Sequence, residues 1–315
     1  MHFSRTTIRS YALPFLALAC LAGQEPTGGK MIELRVTAVK KSDGSPVVPK
    51  REDLRLLEDN KPQELLAIRK ETDSPLSLAI LFDTSTSQKF VFKYLQQAAC
   101  AFVDQFSRAG IDRACVVTIN TKPQLKQSLT DSKDILKEAI YRLTPEERPI
   151  ISAKQPPPPD FPGGTSLYDS VWFACEEILS KTPEGVRRAV LLLTDGYDTT
   201  SKKKNREVSD QAIKSGVAIY SIGMGDSGLD GVDTQPLSDL AESTGGRAFF
   251  PKKAPDIPEL VKQLGQELKA CFLVSFRSNN PTPSTSGKKL KIEITNSDLR
   301  KQKVELAYQR KHFAL

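Results

Sequence analysis

The chain has 315 residues, of which 39% are hydrophobic and 26% are charged, and its formal net charge is +7. This composition is typical of globular proteins and excludes wholesale disorder, and the length allows one large domain and a smaller one. The two histidines, His2 and His312, stand at the chain ends, so a Ser-His-Asp or Cys-His catalytic centre is nearly excluded.

Residues 1–23 have the pattern of a signal peptide. Arg5 and Arg9 form a basic start, and the apolar stretch from Tyr11 to Ala22 contains Ala17-Leu18-Ala19, which resembles a cleavage site. This stretch is too short to span a bilayer, and no later stretch approaches the needed length. We therefore predict an exported protein without a transmembrane helix, located in the periplasm, on the cell surface or outside the cell.

Cysteine usage leaves two questions open. Cys20, at the end of the apolar stretch, is an alternative lipid-anchor site, although Ala17 stands where lipoprotein signals usually have Leu. The other cysteines match no zinc-binding spacing, and we expect buried free thiols. Export also permits a disulfide, whose pairing the sequence does not give. These cysteines are Cys100, Cys115, Cys175 and Cys271.

Residues 24–72 predict an N-terminal β segment. Ile32, Leu34 and Val36 alternate with polar residues, which is the period of a half-buried strand. Two further short strands are predicted at 54–56 and 65–68. The segment has too few apolar residues to bury a core alone.

Residues 73–271 alternate between strand and helix patterns. This order predicts an α/β domain with a doubly wound, mainly parallel, six-stranded sheet covered by helices on both faces. A helix is expected at 131–143, with Asp131 as its N-cap. The strands are predicted at 76–83, 113–120, 124–129 (an antiparallel edge), 186–195, 217–224 and 248–250.

Residues 272–315 return to a period of two, and this flank carries the excess of positive charge. Neither flank has enough apolar surface alone. We therefore predict that residues 272–315 pair with residues 30–72 in a small β-sandwich, with the α/β domain inserted between them. Nucleic acid is not an expected partner, because basic-aromatic motifs are absent from the sequence.

Polar side chains follow the apolar strands at three places. Asp83, Ser85 and Ser87 end the strand at 76–83, Asp195 ends the strand at 186–195, and Thr165 precedes a helix. Ligands of open α/β sheets bind at the carboxyl ends of the strands. Oxygen donors of this kind suit a hard divalent cation.

These five positions, in order, resemble the metal-ion-dependent adhesion site of a von Willebrand factor A domain. Asp43-Gly44-Ser45-Pro46 and Glu58-Asp59-Asn60-Lys61-Pro62-Gln63 are similar to segments of the secreted bacterial VWFA-related family. The resemblance implies a Rossmann-like fold with a bound cation. The implied metal ligands are Asp83, Ser85, Ser87, Thr165 and Asp195, supported by Gly163, Gly164 and Gly196.

The implied function is adhesion, in which an acidic side chain of a protein partner completes the coordination of the cation. Mg²⁺ is favoured, with Mn²⁺ or Ca²⁺ as alternatives. A second hypothesis is a scaffold whose metal only stabilises the loops and whose β-sandwich does the binding. A hydrolase of the haloacid dehalogenase class is disfavoured, because Ser85 stands where that class usually has a second Asp. We therefore do not expect an enzyme.

Overall fold

A computed structural model describes residues 30–71, 73–146, 164–225, 231–280 and 284–313. The predicted signal peptide, Cys20 and Gly163 lie outside the described residues. Within these ranges, no helix combines the length and apolar character that crossing a bilayer requires.

The elements follow one another as N-terminal strands, an alternating α/β region and C-terminal strands. The N-terminal strands are β1 (Met31–Lys40), β2 (Leu54–Glu58) and β3 (Lys61–Lys70). The α/β region contains β4 (Leu76–Asp83), α1 (Phe92–Phe106), β5 (Arg113–Ile119), β6 (Gln124–Thr130), α2 (Lys133–Tyr141), α3 (Leu167–Phe173), β7 (Arg187–Thr194), α4 (Asn205–Lys214), β8 (Val217–Gly223), α5 (Thr234–Thr244), β9 (Ala248–Phe249) and α6 (Ile257–Lys269). The C-terminal elements are β10 (Cys271–Arg277), β11 (Lys288–Ile294), α7 (Ser297–Lys301), β12 (Val304–Tyr308) and β13 (Lys311–His312).

The α/β region is built on a mixed six-stranded sheet in the order β6-β5-β4-β7-β8-β9. The β5–β6 pair is antiparallel, and the other four pairs are parallel. Every residue of β4 is buried, because helices cover both faces of the sheet. Ile80 and Phe82 belong to the core under α1 and α6, whereas Ala79 and Leu81 belong to the core under α3 and α5.

The start of α2 differs from its prediction. The structure makes Ser132 the N-cap, and its hydroxyl accepts a hydrogen bond from Ile135 N at 3.3 Å. The predicted cap, Asp131, instead accepts a hydrogen bond from Gly110 N at 3.2 Å. The N-cap prediction was therefore wrong by one residue, because the Asp131 carboxylate fastens the turn before β5.

The two flanks form one seven-stranded sheet in the order β12-β1-β10-β3-β2-β11-β13. The C-terminal strand β10 lies between the N-terminal strands β1 and β3 and pairs antiparallel with both. Tyr308 Oη of β12, at one edge, accepts a hydrogen bond from Ile292 N of β11, next to the other edge, at 2.9 Å, so the sheet is curled. A single curled sheet around one core thus takes the place of the predicted sandwich of two sheets.

The four cysteines of the described ranges are free and buried. Cys115 and Cys175 lie in the core between the central sheet and α3. Burial raises the pKa of each of these two thiols to about 12, so both remain protonated at neutral pH.

Candidate metal centre

The carboxyl ends of β4 and β7 lie side by side and carry the two predicted carboxylates. Asp83 is 0% exposed and Asp195 is 2% exposed. The Thr194 hydroxyl, on β7, donates a hydrogen bond to Asp83 Oδ2 at 2.6 Å. The register of two adjacent parallel strands therefore fixes the position of the Asp83 carboxylate.

The turn after β4 brings both predicted serines to the same place. Ser85 N donates to Asp83 Oδ1 at 2.9 Å, and the hydroxyl oxygens of Ser85 and Ser87 are 2.9 Å apart. The Ser87 hydroxyl lies beside the Asp195 carboxylate, and its hydrogen bond opposes the rise in the pKa of Asp195 that burial causes. Four of the five predicted ligands are thus joined by a continuous set of contacts.

Thr165 is held against the loop that follows β7. Thr165 N donates to Thr199 Oγ1 at 2.8 Å, and Thr165 O accepts hydrogen bonds from the backbone of Thr199 and Thr200 at 2.8 and 3.1 Å. The Thr165 side chain is 5% exposed, and its hydroxyl makes no hydrogen bond to another residue of the described ranges. This hydroxyl is therefore available to a ligand.

Two glycines allow the loops to approach closely. A Cβ on Gly164 would lie 2.4 Å from Thr200 Cγ2, and a Cβ on Gly196 would lie 2.2 Å from the carbonyl oxygen of Asp233. Gly196 also has a φ of +87°, which a residue with a side chain rarely adopts. Asp233 N donates to Asp195 O at 2.8 Å, so the loop before α5 also packs against this edge.

The two carboxylates are buried and lie close enough to repel each other. Burial, with repulsion from Asp195 as the second cause, raises the pKa of Asp83 to about 7. Burial likewise raises the pKa of Asp195. Among the described residues, neither carboxylate forms an ion pair with Lys, Arg or His. Buried carboxylates without a compensating charge are costly, and a cation would relieve that cost.

The donor set matches a hard cation. It consists of two carboxylates and the hydroxyls of three small side chains, which are oxygen ligands of the kind that Mg²⁺ prefers. In the described part of the chain, no three His, Cys, Asp or Glu residues come close enough to hold a metal ion. That result is consistent with this arrangement, in which hydroxyls outnumber carboxylates.

Three positioning residues were missed by the sequence predictions. Thr194 orients Asp83, Thr199 holds Thr165, and Asn120 O accepts a hydrogen bond from the Ser166 hydroxyl at 2.6 Å. Thr194 carried a usable signal, since it directly precedes Asp195 on a predicted strand. Thr199 and Asn120 carried none, because their contacts depend on how the loops run in three dimensions.

The connection between α2 and α3 begins at this edge of the sheet. Glu146 N donates to Thr84 O at 2.7 Å, and Asn120 Nδ2 donates to Glu146 Oε1 at 2.8 Å. Residues 147–163, which include the proline run, lie outside the described residues. Glu146 thus contacts Thr84, the residue that follows Asp83 in the sequence.

The von Willebrand factor type A domain model matches residues 77–263. No curated protein matches the chain. Proximal thread matrix protein 1 from the mussel byssus is similar in structure, with 22% identity, a TM-score of 0.52, and coverage of 65% of this chain and 48% of that chain. A form of that protein with a zinc-occupied MIDAS motif has 22% identity, a TM-score of 0.53, and coverage of 68% and 50%.

A von Willebrand factor type A protein from Catenulispora acidiphila has 14% identity, a TM-score of 0.51, and coverage of 74% of this chain and 52% of that chain. At these identities the similarity concerns the fold, and this chain spans about half the length of each of these structures. The family model, in contrast, covers more than half of this chain. The chain therefore belongs to the von Willebrand factor type A domain family, whose fold is α/β and Rossmann-like.

Proposed function

We propose that this chain is an exported, metal-dependent protein-binding module. A divalent cation, with Mg²⁺ favoured over Mn²⁺ or Ca²⁺, would be held by Asp83, Ser85, Ser87, Thr165 and Asp195. An acidic side chain of a protein partner would complete its coordination.

The observation that carries this proposal is the pair of buried carboxylates at the carboxyl edge of the sheet, which have no basic partner among the described residues. Both are in contact with serine hydroxyls, and the backbone of Thr165 is held against the loop after β7. A protein of the same fold carries zinc at its MIDAS motif, which supports the assignment of a cation to this edge.

The residues have separate tasks in this proposal. Ser85, Ser87 and Thr165 supply neutral oxygens, so a bound cation keeps much of its positive charge and attracts an external carboxylate strongly. Asp83 accepts hydrogen bonds from Ser85 N and from Thr194 and thereby holds the turn in place. Asp195 accepts a hydrogen bond from the Ser87 hydroxyl and thereby holds that side chain in place.

The alternative functions find less support. For a hydrolase centred on Asp83, a general base is needed, and His312 lies in the other sheet, 4% exposed. Its Nε2 is 2.5 Å from Glu58 Oε1. The scaffold hypothesis is tested by comparing partner capture after deletion of residues 272–315 with capture by Thr165→Ala.

The metal site is tested by titrating the mature chain with MgCl₂ and MnCl₂ in a calorimeter. Thr165→Ala removes one ligand oxygen and should weaken binding at least about tenfold, the cost typical of losing a partner at a metal site. Thr165→Ser keeps the oxygen and serves as the matched control. Equal affinities of the wild type and Thr165→Ala would contradict the assignment of Thr165.

The partner is tested by affinity capture from the native cell envelope with immobilised mature chain. Capture should occur in Mg²⁺, disappear in a chelator, and disappear with Asp195→Ala in Mg²⁺. Equal capture in all three conditions would remove the adhesion hypothesis. Elution by a short peptide rich in Glu, but not by the corresponding Gln peptide, would identify the acidic side chain as the recognised group.

A further inference from the structure

A second candidate site lies at the opposite edge of the central sheet, between the α/β region and the curled sheet. A cavity of about 230 Å³ is lined by the first residues of β4 and β7 and by β1. This volume far exceeds the about 15 Å³ that one water molecule requires. Four basic residues line it, namely Arg35, Arg187, Arg188 and Lys214.

Arg187 is the most deeply buried of these cations. It is 7% exposed, and its Nη1 donates a hydrogen bond to Leu268 O. Among the described residues, its Nε is buried without a hydrogen-bond acceptor of good geometry, and the neighbouring Cys271 is a neutral thiol, because burial raises its pKa to about 11. A buried guanidinium with an unpaired donor carries a substantial desolvation cost.

Arg188 is bonded to neutral groups. Its Nε and Nη2 donate to the hydroxyl and the carbonyl of Thr182 at 2.8 and 2.7 Å, and its Nη1 donates to Ser215 O at 2.9 Å. Within the described ranges, neither Arg187 nor Arg188 has a carboxylate oxygen within 4.0 Å. Burial, with repulsion from Arg35 as the second cause, lowers the pKa of Arg188.

Two nearby carboxylates, Glu71 and Glu33, are paired with other cations, and Glu184 acts on Arg188 only from beyond 4.0 Å. Glu71 forms a bidentate ion pair with Arg35 at 2.8 and 2.9 Å. Glu33, which lines the cavity, forms an ion pair with Arg69 at 3.2 Å. Lys214 stacks over the ring of Phe313, 4.8 Å from its centre. The cavity wall therefore keeps an excess of positive charge.

Helix capping explains part of this arrangement. Leu268 O and Ser215 O are carbonyls at the C-terminal ends of α6 and α4, and a helix C-terminus carries about half a negative charge. Two such ends offset about one of the two guanidinium charges. About one positive charge, together with that of Lys214, is left facing the cavity.

We infer that this cavity binds a small, doubly charged oxyanion between Arg187 and Arg188. The ligand class is a phosphate group or a short dicarboxylate, both of which match the fork of donors on a guanidinium. Thr37 and Tyr220 line the same wall and are hydrogen-bonded to each other, so the arginines are the donors that the inference relies on. This inference concerns the opposite edge of the sheet and does not depend on the metal-binding proposal.

The test is calorimetric and thermal titration of the mature chain with sodium phosphate, sodium malonate or sodium acetate, at constant ionic strength and in a chelator. We expect saturable binding of one dianion per chain, a rise in melting temperature, and no effect of acetate. Binding of phosphate alone would assign a phosphate group, and binding of phosphate and malonate would assign dianions in general. Binding of neither dianion would overturn the inference.

The variant Arg188→Gln removes one charge and should weaken dianion binding at least tenfold. Arg113→Gln is the matched control, because Arg113 is exposed at the start of β5 and does not line the cavity. Equal binding by the wild type and Arg188→Gln would show that the arginines only cap helices. If Arg188→Gln does not fold, the titration of the wild-type chain decides alone.

Discussion

The buried carboxylate at the end of β4 makes the metal-free protein sensitive to pH, and Asp83→Asn should remove part of that sensitivity. The pKa of Asp83 rises from 3.8 to about 7 in the folded chain. Because the folded-state pKa lies above the unfolded value, Asp83 contributes to the stability of the folded chain. That contribution is fully present below pH 3.8 and is lost as the pH rises to about 7.

The size of the effect follows from the same values. Between pH 5.5 and 8.5 the unfolded carboxyl is already ionised, so the folded state alone releases a proton. The interval from 5.5 to about 7 corresponds to about 2 kcal/mol, at about 1.4 kcal/mol per pH unit. Asn can still accept from Ser85 N and face the Thr194 hydroxyl, so the hydrogen bonds of the site survive the substitution.

The assay is urea unfolding of both proteins at pH 5.5 and pH 8.5 in a chelator. The wild type should lose about 2 kcal/mol more than Asp83→Asn over this range. Saturating Mg²⁺ should stabilise the wild type at pH 8.5 and leave Asp83→Asn unchanged. An equal loss of unfolding free energy in the two proteins would refute the claim that burial and Asp195 raise the pKa of Asp83.

Asp112→Asn is the matched control, because the same substitution there should act in the opposite direction. Burial alone would raise the pKa of Asp112, but hydrogen bonds from Arg108 and Leu76 N outweigh it and lower that pKa. The Arg108 Nε and Leu76 N donors lie 2.8 and 2.9 Å from the carboxylate. At neutral pH, where Asp83→Asn stabilises the metal-free protein, Asp112→Asn should destabilise it.

Three further substitutions test the loops, the interface and the curled sheet. Gly164→Ala places a Cβ 2.4 Å from Thr200 Cγ2. It should therefore displace Thr165 and weaken Mg²⁺ binding in a calorimeter, and an unchanged affinity would contradict this. Burial, opposed by Arg247, raises the pKa of Glu267 to about 7, so the contribution of Glu267 to stability is lost as the pH rises through 7. In urea unfolding, Glu267→Gln should therefore reduce the change in unfolding free energy between pH 5.5 and 8.5. An unchanged pH dependence would contradict this. Tyr308→Phe leaves Ile292 N without its acceptor and should cost about 1 to 3 kcal/mol in urea unfolding, whereas no loss would argue against the curl.

Local patterns in the sequence predicted most of the central domain. The apolar run before Asp83 predicted a buried strand, and β4 is buried along its whole length. Leu95, Ala98, Phe102 and Phe106, which follow one another at helical spacing in the sequence, are all buried in α1. Patterns of this kind depend on neighbours a few residues apart, and they do not change with the path of the rest of the chain.

Features that depend on distant pairing were not predictable in the same way. A period of two identified strands in both flanks, but it does not specify which strand lies beside which, so the curled sheet replaced a predicted sandwich. Asp131 and Ser132 are both good N-caps, and the contact of Asp131 with Gly110, 21 residues away, decided between them. The roles of Thr199 and Asn120 in the metal centre depend on loop contacts in the same way.

The position of β10 between β1 and β3 limits when the curled sheet can form. Glu71 and Cys271 are adjacent in space but 200 positions apart along the chain, so the first three strands are synthesised long before their partner exists. Until β10 is synthesised, these strands have edges with unpaired backbone N–H and C=O groups, which favour aggregation. The contiguous α/β region can fold first, and in doing so it brings Glu71 and Cys271 together and closes that long loop before the curled sheet forms.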